Sequence, residues 1–271
     1  MMFRNSIGRT LLAGCLLGVG LLKADAQSSR AYLLMNDGKK KPALGILIDP
    51  STGDAILSLP NNQRMNVPKS SYKRAYGSRP KEWAQILGAI KAKKFKEVIP
   101  VLDNVIRKNR ALYWDLEALA LKGRAEVELG LMKEAVATLD KLVRAPYGSD
   151  LIKGPVFESY LTALKDSNNP ARLKQILSKT IQNGARADAA IAYIIKGDMR
   201  LDEGDSEGAV LHYLKPALLF TQQAEQCAQA NYKAGDVLEK MRDARAQERF
   251  KTAAQLSPDT KWGRLAKSRI K

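Results

Sequence analysis

Four kinds of residue in this chain could carry chemistry: one histidine, two cysteines, a run of carboxylates, and a basic stretch interleaved with aromatics. His212 is the single histidine. A Ser–His–Asp arrangement needs an imidazole beside a nucleophile and an orienting acid, and a zinc site needs three or four ligands. His212 falls instead inside a helical run, which favours a packing or surface role. Cys227 sits in Ala-rich helical sequence and reads as a small buried residue. Asp198, Asp202, Glu203, Asp205 and Glu207 cluster across a helix end and the next helix start. Carboxylates at a helix start favour the helix dipole, with a cation or basic-partner site as the functional alternative. Gly14, Gly18 and Gly20 lie in an N-terminal apolar run, not in a phosphate loop. The expectation is a non-enzyme with no cofactor and no metal.

The basic stretch carries more. Between Arg64 and Arg110 stand 13 Lys or Arg against Glu82, Glu97 and Asp103, a local charge of +10. It contains Arg74, Arg79, Lys81, Lys91, Lys93, Lys94 and Lys96, with Tyr72, Tyr76, Trp83 and Phe95 between them. Basic plus aromatic side chains suit single-stranded nucleic acid or an acidic polymer. The competing reading is a solvated face with its aromatics in the core.

The N-terminus decides between those partners. Arg4 and Arg9 precede a 13-residue apolar run, residues 10–22, and Ala24-Asp25-Ala26 follows as a small-residue cleavage pattern. The run is shorter than the roughly 18–20 residues that span a bilayer. Residues 1–26 are therefore expected to be a signal peptide, leaving a periplasmic or secreted chain that does not span a membrane. Leu12-Ala13-Gly14-Cys15 offers a lipoprotein alternative through Cys15. Loss of Arg4, Arg9, Lys23 and Asp25 lowers the formal charge from +17 to +15. Export argues against nucleic acid and for an anionic envelope polymer or an acidic protein. With Cys15 removed, Cys227 has no partner for an internal disulfide.

Two elements must position these residues. Residues 31–76 read as a small four-stranded β module: Ala31–Met35, Ala43–Ile48, Ala55–Leu59 and Arg64–Val67, punctuated by Asn36-Asp37-Gly38 and other turn residues. By pattern and position this resembles the small SH3-like barrels that precede helical repeats in some bacterial envelope proteins. Ala75–Pro80 marks the boundary. Residues 80–258 then show apolar residues at helical spacing, broken every 12–20 residues by short turns. Residues 259–271 read as a last amphipathic helix, with Trp262, Leu265, Ala266 and Ile270 inward and Lys261, Arg264, Lys267, Arg269 and Lys271 outward.

The helical part repeats with a period of 37. Val98, Ala135, Arg172, Ala209 and Ala246 are one period apart, and Leu102, Leu139, Ile176, Tyr213 and Phe250 follow four residues later. Twelve residues before each anchor stand Ile86, Gly123, Tyr160, Gly197 and Ala234. A small residue on one helix, a Gly at the turn and an Ala-plus-aromatic pattern on the next resemble the tetratricopeptide repeat. Residues 116–146, 190–217 and 234–258 fit best. Val98 and Arg172 depart at the anchor, and the family's usual period is 34. The resemblance implies a mainly α fold: an α-α hairpin superhelix of about five repeats, a TPR-like solenoid, closed by a C-terminal capping helix.

The family's habit of lining its groove with the first helix of each repeat implies a set of inward positions. These are Trp83, Leu87 and Ile90; Glu117, Ala120, Arg124 and Val127; and Phe157, Leu161 and Leu164. Ile191, Ile194, Asp198 and Leu201 follow, then Ala228, Asn231, Gly235 and Leu238. Trp83, Glu117, Arg124, Phe157, Asp198 and Asn231 are the leading candidates. The set is more apolar than charged and suits a hydrophobic peptide, a partner helix or self-packing. The expected function is that of a protein–protein interaction scaffold in a cell-envelope assembly. A binder of anionic polymer through residues 64–110 is the alternative.

Overall fold

A computed structural model describes residues 31–49 and 51–270. The expected signal peptide and Cys15 lie outside the described residues. The chain divides into two compact units. Among the described residues, one comprises those up to Pro80 together with Ala111–Tyr113, the other Lys81–Arg110 and those from Trp114 to Ile270.

The first unit is a β module, with six strands among its described residues where the sequence suggested four. They are β1 (Ala31–Met35), β2 (Lys40–Ala43), β3 (Gly45–Ile48), β4 (Ala55–Ser58), β5 (Arg64–Val67) and β6 (Tyr72–Tyr76). They form two antiparallel three-stranded sheets, ordered β2-β1-β6 and β3-β4-β5. Ala31, Leu33, Ala55, Leu57, Val67 and Ala75 fill the core between alternating outward residues. β2 escapes the sequence pattern because Lys-Lys-Pro does not read as a strand; Pro42 is tolerated there because β2 is an edge. β6 escapes it because Tyr72-Lys73-Arg74-Ala75-Tyr76 reads as part of a basic cluster. Its pairing with β1 is also broken by a register shift between Leu34 and Met35.

The second unit is helical, with eleven α-helices among the described residues. They are α1 (Trp83–Lys91), α2 (Phe95–Lys108), α3 (Trp114–Glu128), α4 (Met132–Arg144), α5 (Gly154–Asp166) and α6 (Pro170–Asn183). The remainder are α7 (Arg186–Asp202), α8 (Ser206–Leu219), α9 (Ala224–Lys240), α10 (Arg245–Leu256) and α11 (Lys261–Lys267). Each helix packs on the next, and from α3 onward each odd-numbered helix also packs on the next odd-numbered one. No described helix is long and apolar enough to cross a membrane.

The five turns inside the pairs α1/α2 to α9/α10 share one geometry. Lys93, Gly130, Asn168, Gly204 and Arg242 all have a left-handed φ of 57 to 80°. In each, that residue's N–H donates three residues back and the following N–H donates five residues back. Lys93 to Ile90 with Lys94 to Ala89 shows it, and Arg242 to Glu239 with Asp243 to Leu238 repeats it. These are Schellman motifs, which satisfy the last carbonyls of the first helix and reverse the chain in two residues.

Glycines set how closely three of these pairs approach. A Cβ on Gly123 would lie 2.5 Å from Leu139, one on Gly235 2.8 Å from Phe250, and one on Gly197 would overlap the Tyr213 ring. Leu139, Tyr213 and Phe250 are essentially fully buried. The α5/α6 pair departs. Tyr160 replaces the glycine, and the buried apolar residues of α6 are Leu173 and Leu177, with Ile176 only half-buried. At the end of the chain, α11 buries Ala266 and Gly263, while Leu265 and Ile270 are exposed. Arg269, expected outside, is tied to α9 through Asp236 (3.1 Å) and Glu239 and lies over the Phe250 ring.

Candidate functional site: a charged groove along the odd-numbered helices

A groove of about 680 Å³ runs across the helical unit. Residues from α1, α3, α5, α7, α9 and α11 line it, together with Lys93 and Phe95. α5 gives Glu158, Ser159, Thr162, Lys165 and Asp166; Trp262 stands at one end and Lys91 and Lys93 at the other. The wall is built by helical spacing. On α5, Glu158, Thr162, Lys165 and Asp166 fall at i, i+4, i+7 and i+8, one stripe of a 3.6-residue period.

Charge couples the helices across this wall. Lys165 donates to Asp202 (2.7 Å) between α5 and α7, and to its neighbour Asp166 (2.6 Å). Lys233 on α9 donates to Asp198 on α7 (2.6 Å), whose same oxygen accepts from the Tyr213 hydroxyl (2.6 Å). The Gln229 amide on α9 donates to Glu158 on α5 (2.6 Å). Burial and then the Asp198 charge drive the Tyr213 phenol well above its ordinary range. The Lys165 ammonium loses some stability to burial. The two aspartates outweigh that and hold its pKa above the usual lysine range.

The candidates read from the sequence divide. Arg124 and Asp198 line the groove, as do Ile90, Val127 and Leu201. Trp83, Phe157 and Asn231 are core residues instead. Trp83 packs edge-on to Trp114 at 4.9 Å, and Phe157 is buried. Asn231 is fully buried, donating to the Cys227 carbonyl (2.8 Å) and accepting from Arg249 (3.4 Å). Glu117 is half-buried on α3, outside the groove lining. Leu161, Leu164, Ile191, Ile194 and Ala228 are buried too. On α5 the groove belongs to the neighbours one position later: Glu158 after Phe157, Thr162 after Leu161, Lys165 after Leu164. The groove is accordingly far more charged than the sequence suggested. The available signal was the polar residue beside each large apolar one.

The basic stretch does not form one surface on one unit. Arg74 and Arg79 belong to the β unit, and Lys81, Lys91, Lys93, Lys94 and Lys96 to the helical unit. Arg74 is half-buried over the Tyr113 ring (5.2 Å) beside Tyr76, which stacks on Tyr32 at 4.5 Å. Tyr72 and Trp83 are buried, so these aromatics serve the cores. The five lysines of the helical unit are exposed.

Cys227 is buried, and its thiol contacts the carbonyls of Pro216 and Phe220 at 3.3 Å each. The acidic cluster splits. Asp205 caps α8 by accepting from Gly208 N–H (2.8 Å), while Asp198 and Asp202 face the groove. Among the described residues no group of three His, Cys, Asp or Glu is placed to hold a metal. No family model matches this chain, and neither a curated protein nor a solved structure matches it.

Proposed function

We propose that the helical unit is a TPR-like α-α solenoid and that the protein is a non-catalytic scaffold in a cell-envelope assembly, exported by its N-terminal signal. Five helix pairs with one turn geometry, and odd-numbered helices packed in succession, support the solenoid reading. The observation that carries the binding role is the groove that α1, α3, α5, α7, α9 and α11 line together. Its wall alternates Lys91, Lys93 and Arg124 with Glu128, Glu158 and Asp166. A segment bearing both signs of charge fits that wall better than the apolar helix suggested by the sequence, because each buried charge must meet a partner. The β module is read as an SH3-like accessory.

The test is capture of partners from envelope extract by immobilised residues 27–271, compared with Arg124→Glu and Thr162→Trp. A discrete protein retained by the parent chain and lost by both variants is the expected result. Retention unchanged in both would overturn the groove reading.

A second reading has its own observation. Lys81, Lys91, Lys93 and Lys96 are exposed and make no ion pair among the described residues. They could hold an anionic envelope polymer. Such binding would fall steeply with salt because counterion release drives it, whereas a groove-held protein would survive moderate salt.

A further inference from the structure

A second cavity, of about 330 Å³, lies away from the groove, lined by α6, α7 and the middle of α8. Its lining is basic. Lys174 and Ser178 stand one turn apart on α6. Lys196, Met199 and Arg200 form one stripe along α7, Glu203 follows just past its end, and His212 comes from α8. Leu177 and Met199 supply an apolar floor. Arg200 is engaged by Glu203 (3.2 Å) and Asp205 (3.8 Å). Lys174 and Lys196 make no ion pair among the described residues. His212 Nδ1 is buried with no hydrogen-bond partner there.

Two unpaired ammonium groups, a hydroxyl and an imidazole around one small cavity are the donor set for a compact dianion. We propose that this cavity binds a small phosphomonoester. Lys174 and Lys196 would pair with the phosphate, Ser178 and His212 would donate to its oxygens, and a short carbon body would lie on Leu177 and Met199. The cavity exceeds a bare phosphate in size, which is why the ester body belongs to the inference. Neither the groove nor the basic stretch of residues 64–110 contributes to it.

The histidine provides a readout, since the protein has one. Its ring is held below the ordinary histidine pKa by burial first, then by Lys215, Lys196 and Arg200, with Asp205 opposing. A dianion beside Lys174 and Lys196 would offset those charges and raise the His212 pKa by roughly one unit. The experiment is an NMR titration of the His212 ring in full-length mature protein, at constant ionic strength. Glycerol 3-phosphate is the probe, with inorganic phosphate and acetate alongside. The expected result is an upward shift with glycerol 3-phosphate, smaller with phosphate and absent with acetate. Affinity should fall about tenfold in Lys174→Ala and in Lys196→Ala, both checked by thermal melting. Flotation with phosphatidic acid vesicles that needs Lys196 would point to a lipid-borne ester, and absence of flotation to a soluble one. No shift with glycerol 3-phosphate would overturn the proposal. So would an equal shift with acetate, or a shift that persists in the double lysine variant.

Discussion

The α7/α8 and α5/α6 pairs solve one packing problem in opposite ways. In α7/α8, Gly197 leaves a notch and the Tyr213 ring fills it, with Ala209 fully buried beside it. In α5/α6, Tyr160 occupies the notch position and Arg172 the position of that alanine. The contact becomes polar: Tyr160 donates to Asp140 (2.8 Å), and Arg172 grips both Asp140 oxygens (2.8 and 2.5 Å) as well as the Tyr160 hydroxyl. Arg144 adds a fourth contact to Asp140 at 3.3 Å. A notch fixes helix separation by volume alone, so it tolerates no added atoms. A hydrogen-bonded seam fixes it by matched donors and acceptors, so it tolerates no missing ones. The seam lies behind α5, the helix that gives the groove Glu158, Thr162 and Lys165.

The largest expected effect would break the notch. Gly197→Val should cost about 3 kcal/mol, the upper part of the overpacking range, read as a fall in urea midpoint with unchanged slope. Gly123→Ala should cost less than Gly197→Ala, because Leu139 is a flexible side chain that can shift whereas the rigid Tyr213 ring is held by its hydrogen bond to Asp198. Equal costs would contradict the notch account.

Breaking the seam comes next. Asp140→Ala leaves the buried Tyr160 hydroxyl without its acceptor and should cost about 2 kcal/mol. Arg172 is partly exposed and can regain water, which limits the loss. Tyr160→Phe removes donor and hydroxyl together and should cost about 1 kcal/mol by denaturant titration.

The pH dependence sharpens the contrast between two buried carboxylates. Burial pushes the Asp140 carboxyl up, but Arg172 and Tyr160 outweigh it and hold its pKa below the ordinary range. Its contribution is therefore present above the unfolded value of about 3.9 and is lost as pH falls through the folded value. Glu126 on α3 is the reverse. Burial, only partly offset by Thr138 and Lys122, raises its pKa, and one oxygen has no partner. Its contribution is greatest below about 4.3 and is lost as pH rises through the folded value. Glu126→Gln should thus gain in stability relative to the parent as pH rises above about 4, whereas Asp140→Asn should lose relative stability below that, as pH rises towards about 4, and then level off. Parallel trends in the two melting series would contradict this assignment.

The smallest effect concerns the turns. Arg242 adopts a left-handed φ of 57° where Gly130 and Gly204 serve elsewhere. Arg242→Gly should raise stability by about 0.5 kcal/mol, the left-handed penalty less the chain entropy of glycine.

Much of this contrast was legible in the sequence. Gly123, Gly197, Tyr213 and Phe250 stood in register, whereas the break between Leu219 and Ala224 carried no turn signal. Tyr160 and Arg172 were visible as departures, but their compensation was not. Asp140 lies on the preceding pair, 32 residues from Arg172, and no local pattern joins them. Lys93 and Arg242 gave no turn signal because only glycine and asparagine announce a left-handed residue. The groove was misplaced on α5 by one residue, which is 100° of rotation and enough to exchange Phe157 for Glu158.

The groove is the central claim, and site-specific photo-crosslinking tests it most directly. A benzophenone side chain placed at Thr162, within the groove, is compared with one at exposed Lys251 on α10, in residues 27–271 exposed to envelope extract. The account expects one discrete protein adduct from position 162 and none from 251. Adducts from 251 alone, or from neither position while partners are still captured, would place binding elsewhere and contradict it.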